Sequence, residues 1–374
     1  MKITCQREKF LAAFQTAASV APTRSPKPIL QNVKLEVSDG KAMLIATDLE
    51  VGIRIDAAGI DVETPGSAVL PVSRFGSILR ESSDEKMRLE TDGQGTIIRG
   101  ERSEFRLPAE NPAEFPSVAT FNDAKYFELP ARLFREMIRR TVFSTDNESS
   151  RYALGGVLLE FSDKSITAVS TDGRRLSKME GPGQSVGGFA EAAAAGAATI
   201  VPTRSMQLIE RALSDNDSEI QIATRDNDVL VRSPRATIYS RLVEGRFPRW
   251  RDVFPMRSDA AKIELSVGPF HSAVRQAMIV TSEESRGVDF QFADGTLTLT
   301  ARAADAGQSH VELPIAYDGP KISIMLDPRY VSDFLKVLDS DRTVTFDVKD
   351  GDAAGVFTTD DGYGYVVMPL ARER

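Results

Sequence analysis

The sequence predicts an α+β protein built from three repeated β-rich domains, each with two helices packed on antiparallel sheets. Three observations carry this. A β-hairpin pattern occurs three times, a strand–turn–helix pattern occurs twice in each third of the chain, and the order of these elements is the same in all three thirds. A chain of 374 residues is also too long for one hydrophobic core, which stops growing near roughly 250–300 residues. Two to three domains is the expectation from length.

The first strand–turn–helix is MKITCQREKFLAAFQTAASV; its counterparts are YFELPARLFREMIRRTV and IELSVGPFHSAVRQAMIV. Next comes the hairpin, PILQNVKLEVSDGKAMLIATDLEVGI from Pro28. Its counterparts are YALGGVLLEFSDKSITAVSTDGRRLSKM from Tyr152 and the fainter RGVDFQFADGTLTLTARAADAGQSHVEL from Arg286. Superposing Asp39 on Asp163 also brings Leu35 onto Leu159, Glu36 onto Glu160, Ser38 onto Ser162 and Asp48 onto Asp172. In each copy two alternating apolar and polar runs flank a polar turn (SDGK, SDKS, ADGT), which is the pattern of a hairpin. A second strand–turn–helix follows: AVLPVSRFGSILRE, TIVPTRSMQLIERAL and ISIMLDPRYVSDFLKVL. The domains are therefore expected at 1–124, 125–254 and 255–374, with linkers in FPSVATFNDAKYFELP and RFPRWRDVFPMRSDAAKIEL. The glycine- and alanine-rich stretch 181–199 reads as a mobile surface loop.

Charge is segregated along these elements. In VPTRSMQLIERAL, Met206, Leu208, Ile209, Ala212 and Leu213 cover one side of a helix, and Arg204, Gln207 and Arg211 form a stripe opposite. In PARLFREMIRR, Arg132, Arg135 and Arg139, with Arg140 beside them, oppose Leu133, Phe134, Met137 and Ile138. Arg329 and Lys336 play the same part on the last helix, Arg74 and Arg80 on its first-domain counterpart, Lys9 on the first helix and Arg275 on the matching helix of the third domain. The acidic excess that gives a net charge of -8 lies in turns such as ESSDEK, SDNDSE, DSDR and TTDDG. On one helix such arginines are an ordinary solvated face. At equivalent positions of repeated domains they make a positive surface suited to duplex phosphate, contacted without reading sequence. Single-strand binding would want exposed aromatic platforms, and most of the 19 Phe fall at apolar-face positions, with one Trp and seven Tyr besides.

No apolar run reaches the length of about 18 residues that a membrane helix needs, and MKITCQREKF does not read as a signal peptide. Cys5 is the only cysteine, so a reducing, cytoplasmic setting is expected. Cys5 itself reads as a small buried hydrophobe on a strand. His271 and His310 stand without motif context, and no HExxH, GxSxG or GxxxxGK[ST] occurs. Asp172 reads as a turn residue, and the adjacent carboxylates of TTDDGYG lack metal-ligand spacing. No active site, cofactor or metal is expected. The alternatives are a magnesium-dependent DNA-processing accessory enzyme using Asp48, Asp172 and Asp361, and a peptide-binding scaffold that does not encircle DNA.

KPIL near residue 27, ATDLE at 46, RYALGGVLLE at 151, STDGRRL at 170, VEGRFPRW at 243 and YVVMPL at 365 resemble, in order and over the whole chain, the sliding-clamp family, the β subunits of bacterial DNA polymerase III. The resemblance implies a head-to-tail homodimeric ring, with helices lining a hole for double-stranded DNA and sheets outside. It implies a processivity function and no catalytic site. Arg24 matches a DNA-contacting loop arginine and Arg204 a basic hole position. The other DNA-facing candidates are Arg74, Arg80, Arg132, Arg135, Arg139, Arg211, Arg275, Arg329 and Lys336. The implied dimer contact pairs Arg74, Arg102 and Phe105 with Ile279 and Val280. The implied partners are the polymerase catalytic subunit, the clamp loader, and other polymerases and repair proteins, through short hydrophobic peptides. Their pocket would be walled by Leu154, Thr171, Gly173, Arg174, Arg175, Leu176, Pro248, Val253, Val366, Val367, Met368, Pro369 and Leu370, as an apolar cleft with a basic rim. Of Val366 and Val367, one is expected to face the core and the other the pocket. Arg174, Arg249, Trp250 and Asp252 depart from the family pattern, which points to a different peptide preference. The chain continues as ARER beyond Leu370, the last of the implied pocket residues. The TARAADAGQSHVEL segment lacks the glutamates that often face the partner's basic residues, which implies thinner ion pairing at the dimer contact.

Overall fold

A computed structural model describes residues 1–146, 148, 153–213, 218–254, 259–283, 285–304 and 306–371. Arg151 and Tyr152 at the start of the second hairpin copy, residues 214–217 of the SDNDSE turn, residues 255–258 of the second linker, Asp305 and the last three residues of the ARER tail lie outside the described residues. The helices are α1 (Arg7–Ala18), α2 (Val72–Glu81), α3 (Ala131–Thr141), α4 (Phe189–Ala195), α5 (Thr203–Ala212), α6 (Trp250–Val253), α7 (Val267–Ala277) and α8 (Pro328–Lys336).

The predicted hairpins are present, and the first two share one register. Lys34 faces Ile45 in the first, and Leu158 faces Val169 in the second, so the superposition of Asp39 on Asp163 holds residue for residue. In the first and third copies the turn is Asp-Gly with both residues at positive φ: 49° and 72° at Asp39 and Gly40, 50° and 73° at Asp294 and Gly295. That is the turn whose twist matches a hairpin, and Asp-Gly is the sequence that tolerates it. The second copy closes instead with Ser162 and Ser165, joined main chain to main chain at 2.8 Å and hydroxyl to hydroxyl at 2.8 Å.

The chain divides into two compact units, Met1–Arg135 with Gly183–Leu242, and Glu136–Pro182 with Val243–Arg374. In the first unit a five-stranded sheet runs Ile60–Thr64, Lys2–Gln6, Lys86–Thr91, Gly95–Arg99, Glu104–Pro108. A nine-stranded sheet runs Gln184–Val186, Tyr126–Pro130, Glu219–Thr224, Asp228–Arg232, Ala236–Arg241, Val51–Asp56, Lys41–Thr47, Asn32–Ser38, Gly66–Pro71. Helices α1 and α2 lock through Phe10 and Phe14 set edge-on against Phe75, all three buried. Cys5 is buried, and burial pushes its thiol up to about 12, as its reading as a small hydrophobe requires.

In the second unit one sheet carries, in order, Gly156–Phe161, Ser165–Thr171, Arg175–Pro182, Tyr363–Val367, Gly355–Thr358, Thr343–Val348 and Ala261–Ser266. A four-stranded sheet runs Gly307–Pro314, Thr296–Ala303, Val288–Ala293, Ile322–Leu326. Its core is an aromatic stack in which Phe334 lies 4.9 Å from Tyr365 and 5.0 Å from Phe357, and Phe357 lies 4.2 Å from Phe346.

Main-chain pairing explains why three repeats make two units. Strand Val51–Asp56 of the first repeat pairs with Ala236–Arg241 of the second. The equivalent strand of the second repeat, Arg175–Pro182, pairs with Tyr363–Val367 of the third. Each junction is a continuous hydrogen-bonded ladder.

The 181–199 stretch differs from the expectation of a mobile loop. Gln184–Val186 adds to the sheet against Tyr126–Pro130, and α4 follows. Gly188 at φ 75° starts that helix, and its run of alanines, the strongest helix formers, sustains it. Phe189 is buried 6.4 Å from Phe127.

Candidate nucleic-acid and peptide interfaces

The basic helix stripes form as the sequence predicts, with differences of detail. Arg74 and Arg80 on α2, Arg132 and Arg139 on α3, Arg204 and Arg211 on α5, Arg275 on α7, and Arg329 and Lys336 on α8 are exposed, as is Arg24 in the loop after α1. Arg135 is only partly exposed. Arg140, placed beside the stripe, is 1% exposed and belongs to the core. It pairs with Glu136 one turn back at 2.5 Å and with Asp361 at 2.9 Å, and its guanidinium lies 5.1 Å from the centre of the Tyr363 ring. Burial raises the Asp361 carboxyl, but Thr359, Arg140 and Arg342 outweigh it and bring Asp361 down to about 2.

Two exposed arginines are partly neutralised by neighbours. Arg329 forms a two-pronged contact with Asp327, Nε at 3.0 Å and Nη2 at 2.7 Å; buried Asp327 also caps α8 by accepting the Arg329 amide. Arg204 reaches Asp48 at 2.8 Å.

Of the peptide-pocket candidates, those in Thr171–Leu176 and Val366–Met368 meet at one turn of the second unit. Thr171, Gly173, Arg174, Arg175 and Leu176 occupy the turn and the strand that follows it. Val366 and Val367 pair with Leu176 and Arg175 across the ladder. The Met368 amide donates to the Arg174 carbonyl at 2.9 Å, and Leu370 to that of Met325 at 2.8 Å. Leu154 is buried, and Pro248 and Pro369 are half-buried. The exposed apolar side chains are Val253 at 56% and Met368 at 47%. Both Val366 and Val367 are buried. Neither is exposed, and Met368 is the first residue beyond the strand.

Arg175, expected in the wall of the pocket, is engaged on all three of its nitrogens. Its Nε meets Asp172 at 2.9 Å, Nη1 meets Asp333 at 2.7 Å, and Nη2 donates to the Phe143 carbonyl at 2.8 Å. The guanidinium lies 4.4 Å from the ring centre of Tyr330 and 5.4 Å from that of Phe143. Burial alone would lower its basicity, but Tyr365, Asp333 and Asp172 more than compensate. Such a group stays charged and ties the turn to its neighbours. The neighbouring Arg174 is exposed and keeps its charge, raised by Tyr330. Sequence reasoning passed over Tyr330, Asp333 and Phe143, whose roles depend on contacts remote in the chain.

The dimer candidates Arg74, Arg102 and Phe105 are exposed in the first unit, where Arg102 and Phe105 help line a cavity of about 390 Å³. In the second unit Ile279 is exposed and Val280 half-buried. The carboxylates of the enzyme alternative are occupied: Asp48 and Asp172 cap their turns and bind arginines, and Asp361 binds Arg140 and Arg342. Among the described residues no cluster of three or more His, Cys, Asp or Glu could hold a metal, and no helix is long and apolar enough to cross a membrane.

Three repeated clamp domains, joined by strand ladders and carrying helices with exposed basic residues, place the molecule in the class of DNA clamps. The N-terminal, central and C-terminal domains of the DNA polymerase III beta subunit match residues 1–119, 128–249 and 251–371. The chain belongs to the DNA polymerase III beta subunit family. It is 29% identical to the beta sliding clamp of Escherichia coli (strain K12), covering 99% of this chain and 100% of that one. It is 28% identical to that of Chlamydia pneumoniae, covering 99% of each. A sliding clamp from Pseudomonas aeruginosa, crystallised with griselimycin, superposes with a TM-score of 0.91 at 26% identity, covering 100% of both chains. The function is that of this family, a sliding clamp that serves as the non-catalytic processivity subunit of the polymerase.

Proposed function

We propose that two copies of the chain close head to tail into a ring around duplex DNA, with domains 1–124, 125–254 and 255–374 in each. Arg24, Arg74, Arg80, Arg132, Arg135, Arg139, Arg204, Arg211, Arg275, Arg329 and Lys336 face the DNA. The observation that carries this is the recurrence of exposed arginines on the outer faces of equivalent helices in an acidic chain. Retention is then topological, so single phosphate contacts stay weak and the ring slides. The dimer contact sets Arg74, Arg102 and Phe105 of one copy against Ile279 and Val280 of the other.

Partners bind through short hydrophobic peptides at the turn of the second unit, with Val253 and Met368 as exposed apolar anchors and Arg174 as the charged rim. They include the polymerase catalytic subunit, the clamp loader, and other polymerases and repair proteins, in the cytoplasm. The test is retention on nicked circular duplex after loading by an ATP-driven loader, followed by linearisation. A ring stays on the circle and runs off the cut molecule. Retention on both, or on neither, refutes it. Reversing the charge at Arg132, Arg204 and Arg329 should shorten retention, and a scaffold that does not encircle DNA would be indifferent.

A further inference from the structure

Helices α7 and α8 bring together a polar group that the clamp function has not yet used. His271 Nε2 lies 3.1 Å from Ser332 Oγ. Arg275 stands one turn along α7 from His271, and Lys336 one turn along α8 from Ser332, so the two pairs lie on matching faces. His271 and Ser332 are half-buried, and Arg275 and Lys336 are exposed beside them. Burial, then Arg275, then Lys336, all push His271 toward its neutral form. The other charged side chains on elements packed against α7 are Arg329 and Asp333 on α8, Arg302, His310 and Glu312 on strands Thr296–Ala303 and Gly307–Pro314, and Lys262 and Glu264 on Ala261–Ser266. The charges acting on the His271 ring are Arg275 and Lys336. Two exposed cations on the same helix faces as an imidazole and a hydroxyl make a positive patch that an anion would complete, and such a patch suits a phosphodiester.

We propose that His271, Arg275, Ser332 and Lys336 form a seat for one backbone phosphate of duplex DNA, and that His271 occupies it as the imidazolium, taking a proton from solvent when the seat fills. This rests on the ring described above. The proton is added to the unprotonated ring nitrogen, and no other covalent bond changes. Nε2–H then donates to Ser332 Oγ, which turns the Ser332 hydroxyl hydrogen toward a phosphate oxygen, while Nδ1–H, on the far side of the ring, stays with solvent and the imidazolium acts on the phosphate through its charge. A filled seat binds more protons than an empty one, so by linkage the contact strengthens as pH falls through the range in which His271 takes up its proton.

The chain has two histidines, which makes the test direct. Histidine-labelled clamp is titrated by NMR, free and loaded on nicked circular duplex, with His310 beside Glu312 as internal reference. The expected result is a His271 midpoint that rises on loading while that of His310 stays. Diffusion along DNA should slow several-fold between pH 8 and pH 6 for the natural protein, and not for His271→Gln. An unmoved His271 midpoint on a loaded ring, or equal pH dependence in His271→Gln, overturns the proposal. Failure of the ring itself shows separately, as loss of retention on the circle or of run-off from the cut molecule.

Discussion

The turn Thr47–Val51 of the first unit and the turn Thr171–Arg175 of the second are the same device put to different uses. In each, threonine donates its hydroxyl to the carbonyl four residues on, Thr47 to Val51 at 2.7 Å and Thr171 to Arg175 at 2.6 Å. It also accepts the amide two residues on, from Leu49 and Gly173. Asp48 and Asp172 each accept two further amides. The third residue is left-handed in both, φ 81° at Leu49 and 85° at Gly173. What differs is the side chains. The first turn holds a leucine, 42% exposed, in a conformation that suits glycine, and its aspartate borrows an arginine from α5. The second has glycine there, and its arginine comes from the turn itself. One backbone scaffold thus carries either an apolar tip or a charged anchor, and the hydrogen bonds alone specify the turn.

The comparison breaks most sharply at Arg175. Arg175→Met should cost about 2–3 kcal/mol in a denaturant melt, because Asp172 and Asp333 lose a half-buried partner, whereas Val51→Met in the first turn should cost under about 1 kcal/mol. Acid should separate the junctions next. Asp361 is held at about 2, below the unfolded value, so its contribution is present above about pH 4 and lost as pH falls toward 2. That loss is on the order of 2 kcal/mol. Hydrogen exchange along Tyr363–Val367 would report it, and Asp361→Asn should flatten the dependence. Exchanging the turn tips should have opposite signs. Gly173→Leu has open space around it and should cost about 1 kcal/mol from backbone strain alone, and Leu49→Gly should recover a similar amount or less. A thermal melt of each single variant decides this; a large loss in Leu49→Gly would mean that its side chain packs after all. Smallest is Arg204→Gln. The pair with Asp48 is half exposed, so its loss should change stability by no more than about 0.5 kcal/mol.

The repeats were legible because hairpin turns and amphipathic helices are local patterns. Asp39-Gly40 and Asp294-Gly295 announce their turns with two residues each. The division into two units was not legible, since it arises where Val51–Asp56 pairs with a strand almost two hundred positions away. Helix α4 was hidden by the glycines on either side of its alanines. Arg140 and Arg175 sat at positions where helix periodicity and family motif suggested exposed charge. Their partners Asp361 and Asp333 come from the third repeat, and no spacing rule links them. Arg204, Arg132 and Arg275 were read correctly as exposed because an amphipathic stripe settles that question within one helix.

Cys5 has a practical consequence. The lone thiol is buried and stays protonated well past neutral pH, so thiol-directed dyes at neutral pH have no native target in the folded chain. A cysteine introduced at an exposed site away from the helices would accept one dye per protomer. The natural sequence, otherwise unaltered, is then ready for single-molecule tracking of its motion on DNA.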